Sequence, residues 1–70
     1  MKFQERIQQI RKEKGFSQED MAERIGISRQ AVAKWEAGLT YPDVDNLITL
    51  SDLFKVSIDS LLKSGKMIVA

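Results

Sequence analysis

A single glycine between two short stretches of helical periodicity constrains this chain more than any other feature. Residues 18–25 and the stretch between Ser28 and Gly38 each carry apolar side chains at helical spacing, and Gly26-Ile27 connects them. Glycine readily adopts the left-handed conformation that ends a helix, and serine favours the position that caps the next one. Two short helices joined by so tight a turn form a helix-turn-helix unit, although an ordinary helical hairpin uses the same connection.

The second of these helices has two chemically different faces. Ala31, Val32 and Trp35 fall on one side at helical spacing, and Gly38 can close the last turn. The other side carries donors and acceptors that suit base edges in a DNA major groove: Arg29, Gln30 and Lys34. The pattern predicts a recognition helix in which Trp35 is a partly buried core aromatic and not a base-stacking group.

Seventy residues without cysteine or histidine limit the possible chemistry. Such a chain forms one small domain held together by packing, because no disulfide or thiolate-bound metal is available. Without histidine, the chain lacks the side chain that most often acts as a general base and most often binds zinc. No apolar run approaches the roughly 20 residues that span a bilayer, and the N-terminus opens directly into a charged helical pattern. We therefore expect a cytoplasmic protein that is not an enzyme, does not enter a membrane and needs no metal or cofactor.

The net charge of +1 is a weak argument for a polyanionic partner, but its distribution is uneven. Residues 1–36 contain eight lysines and arginines against six acids, whereas residues 37–70 contain three against four. The small positive excess therefore lies in the half of the chain that contains the helix-turn-helix pattern.

A further helix is predicted before this unit, over residues 3–14. Phe3, Ile7 and Ile10 recur at spacings of four and three, and Gly15 ends the pattern. Its other side is expected to face solvent: Arg6, Lys12 and Lys14. For the two lysines a solvated helix face is a better interpretation than a set of phosphate contacts.

Two more helices are predicted after Gly38. Pro42 suits the first turn of the earlier one, where its missing N–H would have no partner. A strongly apolar pattern makes this the central core helix: Val44, Leu47, Ile48, Leu50 and Leu53 or Phe54. Ser57 caps a last short helix that ends at Ser64-Gly65. Its predicted core residues, any of which could form a dimer surface if exposed, are Ile58, Leu61 and Leu62.

These elements predict an all-α fold, a compact five-helix bundle in one domain over residues 1–65. Residues 66–70, with the sequence Lys-Met-Ile-Val-Ala, fit none of the helices. A disordered terminus is the expectation for such an end. A strand that pairs with a second copy, and the start of a longer natural chain, are the alternatives.

The pattern resembles the phage-repressor and Cro-like helix-turn-helix domains, often called XRE-type regulators. The likeness covers about residues 3–63, and the stretches that carry it are I-R-K-E-K-G-F-S-Q-E-D-M-A-E-R-I-G-I-S-R-Q-A-V-A-K-W-E-A-G, then Y-P-D, then L-I-T-L-S-D-L-F-K-V-S-I-D-S-L-L. The resemblance implies a lambda-repressor-like DNA-binding domain with double-stranded DNA as its partner.

The resemblance also implies roles for individual residues. Gln18 matches the position that holds a phosphate and braces the recognition helix, and a second set matches the positions that face DNA: Ser28, Arg29, Gln30 and Lys34. Arg29 can pair with guanine O6 and N7 and Gln30 with adenine N6 and N7, each pair contributing roughly 1–3 kcal/mol of discrimination. Lys34 is divided between base and phosphate.

Arg11 and Glu36 match a pair that joins the first helix to the end of the third, with the remaining donors of Arg11 reaching a phosphate. The loop after the third helix matches a second phosphate-binding segment, but here it lacks lysine and arginine. Thr40 and Tyr41 supply hydroxyl donors there, and Ser17 is a further candidate beside Gln18.

The leading functional hypothesis is a sequence-specific transcriptional regulator, in particular a repressor, that binds a near-palindromic operator as a homodimer. The alternative is an interaction module on the same fold, such as an antitoxin, with DNA binding secondary or absent. The modest net charge and the acidic second half of the chain keep this alternative open. Co-purification of a small toxin would distinguish the two.

Overall fold

A computed structural model of the protein describes residues 2–63. Within that range the chain is helical, and its elements are α1 (Phe3–Glu13), α2 (Gln18–Ile25), α3 (Arg29–Glu36), α4 (Val44–Phe54) and α5 (Ile58–Lys63). The predicted all-α, five-helix bundle is confirmed. The predicted boundary at residue 65 and the tail over residues 66–70 lie outside the described residues.

Side-chain caps fix where four of these helices begin. Ser17, Ser28 and Ser57 each accept a backbone N–H from three residues further along, as predicted, at 3.0, 3.1 and 2.9 Å. The Asp43 carboxylate does the same for the N–H of Asn46 at 2.9 Å. A cap of this kind contributes about 1 kcal/mol because it satisfies a donor that the first turn leaves without a partner.

Gly26 ends α2 and turns the chain into α3. Its φ of 89° lies in the left-handed region, where a β-carbon would be strained. The N–H groups of Gly26 and Ile27 both donate to the carbonyl of Ala22, at 2.8 and 3.0 Å. Ala22 is itself buried, and its small side chain lets α3 pack closely across α2. The predicted helix-turn-helix unit is therefore present.

The core takes side chains from every helix. Its buried members are Phe3, Ile7, Ile10, Met21, Ala22, Val32, Trp35, Leu50, Phe54 and Leu61. Each large side chain in such a core contributes roughly 1.5–3 kcal/mol through removal of apolar surface from water. Phe16, in the loop between α1 and α2, lies over the ring of Phe54 with centroids 6.3 Å apart. Trp35 is only 4% exposed, which confirms its predicted place in the core.

Three apolar residues that the spacing assigns to the core are exposed instead. Val44, Ile48 and Leu62 keep 68%, 46% and 51% of their surfaces. Val44 and Ile48 are four residues apart on the outer face of α4, whereas Leu50 and Phe54 share its inner face. A helix that is apolar on several sides can bury only the face that meets its neighbours.

Pro42 also differs from its prediction. It lies before the Asp43 cap and is buried, so it precedes the first turn of α4 and does not form part of it. With Asp43 as the N-cap, the helix starts at Val44, two residues later than a proline at the first helical position would place it.

Arg6 is half-buried, so the prediction that it faces solvent is wrong. Its Nη2 donates to Ser60 Oγ of α5 at 3.1 Å, and its buried Nε has no hydrogen-bond partner among residues 2–63. The aliphatic stem of arginine can cover apolar surface while its head group bonds elsewhere, which periodicity alone does not reveal.

Within residues 2–63, none of the helices combines the length and the apolar character needed to cross a membrane.

Lys55 ends α4 in the left-handed conformation, with a φ of 59°. Because glycine adopts this conformation without steric cost, we expect Lys55→Gly to raise the free energy of unfolding by about 0.5–1 kcal/mol. Lys14→Gly is the matched control, since Lys14 ends α1 at a φ of −84° and should gain nothing. Urea denaturation followed by circular dichroism tests both, and equal effects of the two variants would contradict the prediction.

Candidate nucleic-acid interface

The outer face of α3 presents the residues predicted to meet DNA. At about 100° per residue, Arg29, Gln30, Ala33 and Lys34 occupy one arc of the helix, opposite the buried arc of Val32 and Trp35. Arg29, Gln30 and Lys34 are exposed, and neither the side chain of Gln30 nor that of Lys34 has a hydrogen-bond partner within residues 2–63. The side chain of Ser28 is engaged as the N-cap. The buried side of α3 therefore holds the helix in the core, and its outer side is accessible to a partner.

A buried ion pair joins α1 to the end of α3, as the resemblance implies. Arg11 Nε donates to Glu36 Oε2 at 2.7 Å and Arg11 Nη2 to Oε1 at 3.1 Å, with side-chain exposures of only 10% and 4%. Arg11 Nη1 donates to the carbonyl of Phe16 at 2.8 Å. Three of the five N–H groups of this guanidinium are thus engaged within the protein.

Gln18 connects this ion pair to Arg29 on the outer face of α3. Its Nε2 donates to Glu36 Oε1 at 3.1 Å, and its Oε1 accepts from Arg29 Nη1 at 3.4 Å. A chain of contacts therefore runs from Arg11 through Glu36 and Gln18 to Arg29. The last link is long and exposed, so Arg29 is oriented by Gln18 but can readily exchange this contact for another acceptor.

The first turn of α2 lies beside the same residues. The Ser17 hydroxyl accepts the N–H of Asp20, which leaves its own hydroxyl proton for another acceptor. The Asp20 carboxylate accepts the N–H of Ser17 at 3.0 Å. The backbone N–H of Ser17, and secondarily its side chain, hold the pKa of Asp20 below its usual value of 3.8. Gln18 and Glu19 are in the first turn of α2, where backbone N–H groups have no helical partner.

Residues 37–42, between α3 and the Asp43 cap of α4, carry no charge and contact α1. Gly38 has a φ of 79°, and the N–H of Leu39 donates to the carbonyl of Lys34 at 2.9 Å. Thr40 and Tyr41 are exposed, and the Tyr41 ring packs on that of Phe3 with centroids 5.4 Å apart. No direct contact links these two residues to the chain that runs from Arg11 to Arg29 among the described residues.

Two contacts in the structure were not predicted from the sequence. The guanidinium of Arg24 lies 4.5 Å from the centroid of the Phe16 ring, and Gln4 of α1 lies against Gly38. Aromatic and glycine positions are the only signals in the sequence that could have suggested them. Over residues 2–63, no group of three or more acidic residues is arranged as a metal site.

The buried ion pair predicts unequal effects of two neighbouring substitutions. Arg11→Ala leaves the Glu36 carboxylate buried without its partner, so we expect the free energy of unfolding to fall by about 3–5 kcal/mol. Lys12→Ala removes an exposed cation and should change it by less than about 0.5 kcal/mol. Urea denaturation measures both, and equal midpoints would show that the pair does not stabilise the fold.

The lowered pKa of Asp20 predicts a dependence of stability on pH. Because the carboxyl binds its proton less tightly in the folded state, its contribution is complete above pH 3.8 and is lost as pH falls through the folded pKa. Asp20→Asn keeps an acceptor for Ser17 but does not titrate, so its melting temperature should fall less than the parent's between about pH 5 and pH 3. Asp52→Asn, at an exposed site on α4, is the control and should behave like the parent.

Comparison with known proteins agrees with this geometry. A helix-turn-helix family model matches residues 7–61. The transcriptional activator BcrR of Enterococcus faecalis is 43% identical over 68 residues, which cover 97% of this chain and 33% of the relative. The cryptic phage CTXphi transcriptional repressor RstR of Vibrio cholerae is 39% identical over 61 residues, which cover 87% of this chain and 54% of the relative. The chain thus spans between a third and just over half of the length of such curated relatives.

Two solved structures share the fold along more than nine tenths of their own length. The P22 c2 repressor, crystallised in complex with a synthetic operator, has a TM-score of 0.86 and 35% sequence identity, covering 90% of this chain and 96% of that one. The restriction-modification controller protein C.AhdI of Aeromonas hydrophila has a TM-score of 0.78 and 28% identity, covering 86% and 91%. With the family model matched over most of its residues, this chain belongs to the helix-turn-helix family of phage-repressor, XRE-type transcriptional regulators.

Proposed function

We propose that this domain binds double-stranded DNA sequence-specifically through α3 and acts as a transcriptional repressor. The observation that carries the proposal is the outer face of α3, where exposed Arg29, Gln30 and Lys34 stand over a buried apolar side. A helix needs no such donors for its own packing. The relatives named as repressors, and the operator bound by the P22 c2 protein, support the same function.

Base reading falls to Arg29 and Gln30. Both lie in the first turn of α3, the end that enters the major groove in helix-turn-helix proteins. The fork of Arg29 fits the two acceptors of guanine, and the amide of Gln30 fits the donor and acceptor of adenine. Lys34, one turn beyond Gln30, can reach a base or a phosphate, and Ser28 can use its free hydroxyl proton. On DNA, Arg29 exchanges its long contact with Gln18 for a base.

Phosphate contacts fix the position of α3 without reading sequence. Gln18 and Ser17 meet one phosphate at the start of α2, through backbone N–H groups, the side-chain amide and the serine hydroxyl. Arg11 contributes from the edge of the core through the N–H groups that Glu36 and Phe16 leave free. In the segment after α3 the donors are backbone N–H groups and two hydroxyls: Thr40 and Tyr41.

A homodimer completes the proposal. One α3 reads only a few base pairs, so two copies on half-sites roughly 34–36 Å apart provide useful specificity and imply a near-palindromic operator. Exposed Leu62 of α5 is available for such a contact. The exposed apolar pair Val44 and Ile48 favours the second candidate function, a protein-interaction module of the antitoxin type. A small partner that co-purifies with the protein would support that alternative.

Substitutions on α3 test the assignment of the reading face. Selection from a random DNA pool provides the operator and reveals whether its half-sites are symmetric. On that operator, Arg29→Ala and Gln30→Ala should each weaken binding by about 5- to 150-fold, because each removes a paired base contact. Fluorescence anisotropy titrations at a fixed salt concentration measure the change.

Two control variants remove the same chemistry elsewhere. Lys12→Ala deletes an exposed cation of α1 and Gln9→Ala an exposed amide of α1, and both should bind nearly as the parent does. If Arg29→Ala and Gln30→Ala bind the selected operator as tightly as these controls, α3 does not read it in the proposed way.

A further inference from the structure

Gln4, in the first turn of α1, lies against the glycine that follows the recognition helix. A β-carbon built on Gly38 would stand 2.8 Å from Gln4 Nε2 and 3.2 Å from Gln4 Cδ. The carboxamide therefore occupies the space that a side chain at position 38 would fill. Helix α1 and the segment after α3 are far apart in the sequence, so the tertiary fold alone brings this amide to that segment.

The Gln4 amide is not engaged in holding the fold together. It makes no hydrogen bond to any residue within the described range 2–63, and its polar atoms are not sealed from solvent. Gln4 is half-buried, which restricts its stem, while the amide keeps two donors and one acceptor available. An amide placed so closely beside a backbone yet left unpaired is suited to an external partner.

The surrounding segment has donors but no cation. Between Ala37 and Pro42 there is no lysine or arginine, and Thr40 and Tyr41 are exposed. Phe3, the residue before Gln4, packs on the Tyr41 ring. Consecutive residues of α1, Phe3 and Gln4, therefore contact this segment at two points, Tyr41 and Gly38.

We propose that Gln4 donates a hydrogen bond from its carboxamide to a phosphate oxygen of bound DNA, beside the segment that begins at Gly38. The inference rests on the proposed function, and it adds the first turn of α1 to the DNA-binding surface. A neutral donor strengthens binding without displacing a counterion, so this contact adds affinity with little dependence on salt. It also gives Gly38 a second role, because a β-carbon there would push the amide aside.

The test places a negative or a positive charge at position 4. Each charge is expected to change the stability of the fold in one direction and the affinity for DNA in the other. An acid in the first turn of a helix is favoured by the helix dipole and a base is disfavoured, so Gln4→Glu should be at least as stable as Gln4→Lys. Beside a phosphate the order reverses. We expect Gln4→Glu to weaken operator binding about 10-fold, and Gln4→Lys to steepen the slope of log K against log salt by about 0.9 for the one added ionic contact.

Gln9→Glu and Gln9→Lys, at an exposed site further along α1, are the matched controls for added charge. Anisotropy titrations at several salt concentrations and thermal melts are measured for all four variants and the parent. If the variants at positions 4 and 9 give the same affinities and slopes, the inference is overturned and Gln4 only packs against Gly38.

Arg29→Ala on the same operator separates this result from a failure of the proposed function. If Arg29→Ala loses binding while the Gln4 variants bind as the position 9 controls do, the proposed function stands and only the contact of Gln4 with DNA is overturned. A parent protein that selects no DNA sequence and does not bind duplex DNA overturns both.

Discussion

The buried ion pair between Arg11 and Glu36 determines how the start of α2 and the outer face of α3 are arranged. Removing two such charges from water costs several kcal/mol for each, and the fold tolerates this because both charged groups also make hydrogen bonds outside the pair. Arg11 also donates to the Phe16 carbonyl, and Glu36 also accepts from Gln18. A pair of this kind contributes less to net stability than to a unique geometry. Because Gln18 also bonds to Glu36, the start of α2 is held at a fixed position relative to α3. Arg29, the first residue of α3, lies at this junction.

This arrangement separates the residues that stabilise α3 from those that contact its partner. Val32 and Trp35 anchor the helix in the core, Glu36 ties it to α1, and Ser28 and Gly38 set its two ends. The outer residues make no contact on which the fold depends, apart from the long bond between Arg29 and Gln18. Different side chains at positions 29, 30 and 34 can therefore change the chemistry of the outer face of α3 while the bundle stays the same, and under the proposed function such changes alter which DNA sequence the domain binds.

Local signals in the sequence predict the helices, the caps at Ser17, Ser28 and Ser57 and the turn at Gly26, because each depends on residues within one turn of the chain, whereas the Asp43 cap of α4 was missed. The buried pair of Arg11 and Glu36 required the resemblance, since neither residue type suggests burial. Arg6, Val44 and Gln4 were beyond local reasoning for a common reason. Their environments are set by how α1, α4, α5 and the segment after α3 meet, and a periodic pattern specifies a face of a helix without specifying what covers it. The roles of the predicted site residues toward DNA stay predictions.

Under the proposed function, the charges of the surface assigned to DNA favour discrimination between sequences over general affinity for DNA. Helix α3 carries two cations, Arg29 and Lys34, while Arg11 is balanced by Glu36 and residues 37–42 after α3 carry no charge. Binding to non-specific DNA comes almost entirely from ionic contacts with phosphates. Hydrogen bonds from neutral amides and hydroxyls depend on exact placement and form fully only where α3 also fits the base edges. A domain that replaces cations with such donors therefore weakens its non-specific binding more than its binding to the operator, and so raises the ratio between the two.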